Sequence, residues 1–80
     1  MEKLLKFLRK LNQKERLFAE ELIFAVRTDA LNGYDVKKLT GYVNVYRVRA
    51  KDIRVIFMRD GEQMVILDIG RRSEKTYKDY

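Results

Sequence analysis

Four arginines lie in or beside short segments rich in β-branched residues. They are Arg47, Arg49, Arg54 and Arg72. Arginine is costly to place on a sheet unless its guanidinium faces water or meets an anion. Several guanidinium groups on one sheet therefore favour a surface that binds phosphate, because they stay charged and bind oxygen atoms in pairs. Such a surface could also stabilise the charge that develops during a reaction at phosphorus.

The composition restricts the chemistry that could accompany these arginines. The chain has 80 residues, with no cysteine and no histidine. Disulfides and thiolate metal sites are thereby excluded, and the commonest general base and metal ligand are missing. We therefore predict no metal ion and no cofactor. The formal net charge of +6 favours a polyanionic partner.

The apolar residues do not form a membrane span. No apolar run approaches the roughly 18 residues that a spanning helix needs, and charges interrupt the apolar residues of the N-terminal segment. A basic amphipathic helix that lies on a membrane surface is a minor alternative for this segment. We predict a single cytoplasmic domain without a membrane partner.

Two helices are expected in residues 1–31. Leucines recur at helical spacing in the first one: Leu4, Leu5, Leu8 and Leu11. Asn12 and Glu15 have the spacing of a capping box that begins the second helix, which continues to about residue 28. Its expected apolar side consists of Leu17, Phe18, Leu22, Ala25 and Val26. Asn32 and Gly33 mark a turn that follows the second helix. The connection between the two helices is short, so they are expected to form an antiparallel hairpin.

The period of the sequence changes after the helices, and residues 42–70 are expected to form an antiparallel meander. Strands are predicted over residues 42–50, 53–58 and 63–69, with Asp60-Gly61 at a tight hairpin turn. No helix intervenes, so neighbouring strands pair in chain order. A C-terminal segment of residues 71–80 follows, because Gly70 is expected to end the third strand.

Strand alternation assigns the residues of this meander to two faces. The face expected to pack against the helices contains Tyr46, Val48, Ile53, Val55 and Phe57, with either Val65, Leu67 and Ile69 or Met64 and Ile66. The opposite face contains Val45, Arg47, Arg49, Arg54, Ile56 and Met58. Three of the four arginines therefore share one face without any assumption about function.

The order of these motifs resembles the RelE/ParE superfamily of toxins. The motifs are the two helices, Leu-Thr-Gly at 39–41, Tyr-Arg-x-Arg at 46–49, Ile-Arg-Val-Ile-Phe at 53–57, and Gly-Arg-Arg followed by Thr-Tyr. The resemblance covers most of the chain. It implies an α+β fold in which an N-terminal helix hairpin packs on one face of a small antiparallel sheet. Family members commonly open with a strand before the first helix, whereas this sequence starts almost directly with its first helix. The sheet could therefore lack that strand.

The resemblance also implies a function. The superfamily contains ribosome-dependent messenger-RNA endonucleases and gyrase inhibitors, and the endonuclease residues are matched here by Arg47, Arg49, Arg54, Arg72 and Tyr77. This match favours a type II toxin, a metal-independent endoribonuclease that cleaves mRNA at the ribosome and is neutralised by a cognate antitoxin. A non-enzymatic gyrase inhibitor and a degenerate module that only binds nucleic acid or an antitoxin stay open.

By the same resemblance, each matched residue has a role. Arg54 would stabilise the transition state, and Arg72 would contact the leaving group. Tyr77 would stack on a base or transfer a proton. Arg47 and Arg49 would orient the 2′-OH and the phosphate, since arginine is too basic to act as a general base. Further candidates for contacts to RNA phosphates are Lys37, Lys38, Lys51 and Arg71.

Each of these residues also has a simpler structural interpretation. A strand arginine is more often solvated or paired with a carboxylate than functional, and for Arg59 and Arg71 we favour this structural interpretation. The nearby carboxylates are Asp52, Asp60, Glu62 and Asp68. A tyrosine near a C-terminus, as Tyr77 is, often only covers the edge of a sheet.

Overall fold

The structure, a computed structural model, describes residues 2–71, with side chains from residue 4 onward. The helices are α1 (Glu2–Arg9) and α2 (Gln13–Arg27). The strands are β1 (Asp35–Lys38), β2 (Val45–Ala50), β3 (Ile53–Asp60) and β4 (Gln63–Arg71), and they form one antiparallel sheet in the order β1-β2-β3-β4. The α+β architecture is confirmed. Neither described helix has the length and apolarity needed to cross a membrane.

The predicted capping box begins α2. The Asn12 side chain accepts a hydrogen bond from the Glu15 backbone N–H at 2.8 Å, and Glu15 accepts one from the Asn12 N–H at 3.2 Å. These two bonds satisfy N–H groups that the first turn of a helix leaves without partners. At the other end, the Thr28 hydroxyl donates to the Phe24 carbonyl at 2.8 Å, so α2 is closed at both ends by its own side chains.

The core lies between the two helices and one face of the sheet. The helices contribute Leu4, Leu11, Ala19, Leu22, Ile23 and Val26, and the sheet contributes Val48, Ile53, Val55, Phe57, Ile66 and Ile69. The prediction that Leu5 and Leu17 belong to the apolar side of their helices is wrong, since Leu5 is 54% exposed and Leu17 is 57% exposed. The apolar stripe of the helices is displaced from the expected one, since Phe7 packs against the core from α1 and Ala19 and Ile23 belong to the core from α2.

The strand β1 was not predicted. Its four residues include only one apolar side chain, Val36, which is half-buried against the core. Such a segment has no alternating pattern of its own. It is held as a strand by antiparallel pairing with β2, in which Asp35 lies opposite Arg49 and Lys38 lies opposite Tyr46. The meander therefore begins at residue 35 rather than 42 and has four strands.

A β-bulge interrupts the pairing of β3 with β4. Phe57 pairs with Ile66, whereas the preceding residue, Ile56, pairs with Asp68, so Leu67 is an extra residue in β4. The sequence offered two alternative apolar sets for the core face of this strand, and because of the bulge one residue from each set is buried in the core. Ile66 faces the core before the bulge and Ile69 faces it afterwards. The strand also continues through Gly70 to Arg71, two residues beyond the prediction.

Candidate functional site

The shared face of the strand arginines is confirmed by the pairing of the strands. Arg49 lies directly opposite Arg54, and Arg47 lies opposite Ile56. Directly opposed residues of an antiparallel pair project from the same face. The unpredicted strand β1 extends this face, because Asp35 pairs with Arg49 and Lys37 pairs with Arg47. The face opposite the helices therefore carries a row of charged side chains that runs across three strands.

This face is less open to solvent than the sequence suggested. Arg54 is fully buried and Arg47 is only 6% exposed. Their apolar neighbours on this face, Val45 and Ile56, are also buried. Only Arg49 keeps substantial access, with about a third of its side chain exposed (34%).

Arg54 is held by groups on β4. Its Nη2 atom lies 4.0 Å from Asp68 Oδ2, and its Nη1 atom donates to the Arg71 carbonyl oxygen at 2.9 Å. Asp68 is itself buried and accepts a hydrogen bond from the Ile69 N–H at 2.9 Å. A strict alternation along β4 would place Asp68 opposite Val55 on the core face. The bulge instead brings it to the arginine face, so a local irregularity supplies the buried cation with a carboxylate.

Arg47 and Arg49 share a different carboxylate. Asp35 Oδ2 accepts hydrogen bonds from Arg49 Nε at 3.2 Å and from Arg49 Nη2 at 3.0 Å. The same oxygen lies 3.6 Å from Arg47 Nη1. Charge-assisted contacts of this kind orient planar guanidinium groups. Sequence reasoning did not identify Asp35, because its relation to the arginines depends on β1, which has no strand signal.

An open cleft of about 280 Å³ lies beside these residues, at the edge of the sheet formed by β1 and β2. Its lining residues are Lys37, Lys38, Leu39, Thr40, Arg47 and Arg49. Four of the residues expected to contact RNA or phosphate are therefore brought together. Thr40 adds a hydroxyl that sequence reasoning missed; it lies within the Leu-Thr-Gly motif, which could have drawn attention to it. The cleft is predominantly cationic and can accommodate a phosphate group.

Lys51 and Arg71, also expected to contact RNA, lie elsewhere. Arg71 Nη1 donates to Asp52 at 2.8 Å and to Glu15 at 3.2 Å. Its hydrogen bond to Glu15 is the main reason why the pKa of that carboxyl is lowered. The Lys51 ammonium lies 4.6 Å from the centre of the Phe18 ring. Both residues fasten the β2–β3 turn and the end of β4 to α2, away from the cleft.

Arg59 forms an ion pair, in line with its structural interpretation, but its partner is Asp29 rather than one of the carboxylates near it in sequence. Its guanidinium contacts Asp29 at 3.0 Å and lies 5.1 Å from the centre of the Tyr46 ring. The pairing lowers the pKa of Asp29 and raises the pKa of Arg59, each mainly through the hydrogen bond between them. Arg59 alternates with Arg54 along β3 and therefore belongs to the helix side of the sheet, where it links β3 to the end of α2.

Two of the expected site residues, Arg72 and Tyr77, lie outside the described residues, so their roles stay predictions. Within residues 2–71, no group of three or more histidines, cysteines, aspartates or glutamates could hold a metal ion. The chemistry available in the described part of the site is that of fixed positive charge, one hydroxyl and the carboxylates that partner the arginines.

No protein-family model and no curated protein matches the chain. The chain is similar in structure to a chain of the RelB–RelE antitoxin–toxin complex from Methanococcus jannaschii. The TM-score is 0.66 and the identity 23%, and the match covers 95% of this chain and 89% of the other. At this identity the likeness shows the fold alone. The two helices and the antiparallel sheet thus form an architecture that occurs in a toxin–antitoxin complex.

Proposed function

We propose that the protein is the toxin of a type II toxin–antitoxin pair, an endoribonuclease that cleaves messenger RNA at the ribosome in the cytoplasm. It would act without a metal ion and be neutralised by a cognate antitoxin. The observation that carries the proposal is the cluster of Arg47, Arg49 and Lys37 on one sheet face, beside an open cleft. The likeness to a chain of a toxin–antitoxin complex and the resemblance of the motifs support the same class.

The proposed reaction uses a nucleophile that RNA itself carries. The 2′-hydroxyl attacks the adjacent phosphorus and loses its proton, and the bond from phosphorus to the 5′ oxygen breaks as that oxygen gains a proton. The products are a 2′,3′-cyclic phosphate and a 5′-hydroxyl. The protein must align the attacking and leaving oxygens and stabilise the negative charge on the phosphorane. Guanidinium groups suit the second task because they stay charged and bind oxygen pairs.

The observed burial revises the roles of the individual arginines in this proposal. Arg49 is the one that a phosphate in the cleft reaches first, and Arg47 lies behind it with 8% of its side chain exposed. Arg54 is fully buried, so it contributes through its positive field, and direct contact with a phosphate would require this face to open. Lys37 and Lys38 would bind flanking phosphates as point charges.

A binding module without catalytic activity is the second candidate. The observation that favours it is that the strand arginines already have carboxylate partners in this structure. Asp35 contacts Arg47 and Arg49, and Asp68 lies beside Arg54. A protein of this kind would hold RNA or an acidic partner on the same face and leave the message intact.

Controlled expression of the protein in bacterial cells separates the candidates. The endoribonuclease predicts rapid arrest of translation, measured by incorporation of labelled methionine, with new 5′ ends in messages mapped by primer extension. Loss of supercoiling in a reporter plasmid with intact messages would support a gyrase inhibitor instead. Unchanged growth, translation and supercoiling at a confirmed protein level would contradict both toxin functions and support the binding module.

A further inference from the structure

The Asp35 carboxylate lies among the donors that a bound phosphate would use. Its Oδ2 atom accepts from both Nε and Nη2 of Arg49 and lies 3.6 Å from Nη1 of Arg47. One negatively charged oxygen thus faces two guanidinium groups beside the cationic cleft. A phosphate oxygen bound by two arginines makes the same set of contacts. The carboxylate is therefore an internal counterpart of the anion that the site is proposed to bind.

Asp35 is also placed where it can leave these contacts at low cost. It is the first residue of β1, a four-residue strand at the edge of the sheet, and its side chain is 57% exposed. Ion pairs with this much exposure are weak, because water competes for both charges. Arg47, by contrast, is held with 8% of its side chain exposed. The geometry thus combines a buried cation with a carboxylate that is largely exposed to water.

We propose that a phosphate of RNA binds by displacing the Asp35 carboxylate from Arg49 and Arg47. Asp35 offsets part of the positive charge of the two guanidinium groups and orients them when no RNA is bound, and it lowers the affinity of the site for RNA by competing for the same donors. The proposal rests on the RNA-binding part of the proposed function. It adds the position of the phosphate, the group that is displaced and the residue that sets the affinity.

The substitution Asp35→Asn tests the exchange, because it removes the negative charge and keeps the shape of the side chain. Binding of a fluorescein-labelled single-stranded RNA oligonucleotide is followed by fluorescence anisotropy at one fixed salt concentration. We expect the variant to bind about two- to fivefold more tightly than the wild type, which is the range that removal of a weak exposed competitor allows. Inorganic phosphate should also bind the variant more tightly than the wild type when it is titrated without RNA.

Two comparisons separate local competition from a change in net charge. Glu21→Gln removes one negative charge from the exposed side of α2, on the helix side of the sheet, and should change the affinity much less than Asp35→Asn. In an Arg49→Gln background, Asp35→Asn should lose most of its effect, because the two residues act through one contact. Circular dichroism and thermal melting establish that each variant is folded, and Asp35→Ser replaces Asp35→Asn if the latter melts early.

Several results would overturn the exchange. Weaker or unchanged RNA binding by Asp35→Asn would show that the carboxylate supports the site or has no part in it. An equal gain from Glu21→Gln would reduce the effect to net charge. Failure of the proposed function looks different: if neither wild type nor variant binds RNA, the RNA-binding face itself is wrong. A wild type that cleaves messages while Asp35→Asn binds RNA less tightly would contradict the exchange alone.

Discussion

Arg49 and Arg54 lie directly opposite each other on β2 and β3, so the sheet holds two like charges in one cross-strand pair. Like charges in directly opposed positions destabilise a sheet. Here each is partnered from an outer strand, Arg49 by Asp35 of β1 and Arg54 by Asp68 of β4. The two pairs differ in environment, since the first is partly exposed and the second fully buried. This difference predicts separate consequences for stability and for function.

Loss of Arg54 is expected to destabilise the protein much more than loss of Arg49. Arg54→Ala leaves Asp68 as a buried charge without its arginine, and removing one member of a buried pair costs about 3 kcal/mol or more. Arg49→Ala removes a partly exposed pair, which contributes at most about 1 kcal/mol. Urea denaturation of the two variants measures the free energies of unfolding. Equal losses would contradict the assignment of Arg54 as a buried, structurally required cation.

The capping box is expected to contribute to the stability of α2. Asn12→Ala removes the acceptor of the Glu15 N–H and should lower the free energy of unfolding by about 1 kcal/mol, or the melting temperature by about 4–8 °C. Asn12→Asp keeps the acceptor and should melt close to the wild type. Gln13→Ala, at the adjacent exposed position, is the control. A melting temperature of Asn12→Ala within error of that of Gln13→Ala would exclude the contribution.

Stability is expected to fall in acid because of Glu15 and Asp29. Hydrogen bonds from Arg71 and Arg59 lower the pKa of these carboxyls below their ordinary values of 4.5 and 3.8. A carboxyl whose pKa is depressed by folding stabilises the native state above its ordinary pKa, and this stabilisation is lost as the pH falls through the lower, folded-state value. Urea midpoints measured between about pH 7 and pH 3 should therefore decrease below about pH 4.5.

Arg71→Gln tests how much of this loss of stability in acid comes from Glu15. The variant removes the main cause of the lowered Glu15 pKa, so its urea midpoint should decrease less steeply as the pH falls below about 4.5. Arg27→Gln, at the exposed end of α2, changes the net charge equally and should keep the wild-type slope. If the urea midpoint of Arg71→Gln decreased with falling pH as steeply as that of the wild type, the contact between Arg71 and Glu15 would not be the cause of the loss of stability.

The sequence was sufficient to predict the features that follow from regular spacing within a helix or a strand. The capping box depends on two residues three positions apart, and the common face of Arg47, Arg49 and Arg54 follows from alternation within β2 and β3 and their short turn. Both predictions are confirmed. The strand β1 was missed because Asp35–Lys38 has one apolar residue and therefore no period, and its strand geometry comes from pairing with β2.

The features that depend on an irregular strand register, or on a strand without its own pattern, were not available from the sequence. The bulge at Leu67 is the clearest case, because no strict alternation places Ile66 and Ile69 on the same face. The bulge lets both isoleucines face the core and moves Asp68 to the arginine face. The proximity of Arg54 to Asp68 therefore follows from a shift in register that neither strand signals by itself. The cleft shared by Lys37 and Arg47 likewise required the position of β1.

The chain offers a matched pair of arginines with which to test the proposed function. Arg49 contacts Asp35 at 3.0 Å, and Arg59 contacts Asp29 at 3.0 Å; both arginine side chains are 34% exposed. They differ in the face of the sheet, since Arg49 borders the cleft and Arg59 lies on the helix side. Substitution of either removes one charge and one comparable ion pair, so the effects on net charge are equal, and thermal melting establishes that both variants are folded.

The most direct measurement is therefore cleavage of cellular messages, mapped by primer extension after controlled expression of wild type, Arg49→Ala and Arg59→Ala at equal protein levels. The proposed endoribonuclease predicts that Arg59→Ala cleaves messages like the wild type. Arg49→Ala should lose at least about tenfold in cleavage, because a donor to the developing phosphorane charge is removed. Cleavage by Arg49→Ala at the level of Arg59→Ala would contradict the claim that the arginine face carries the reaction.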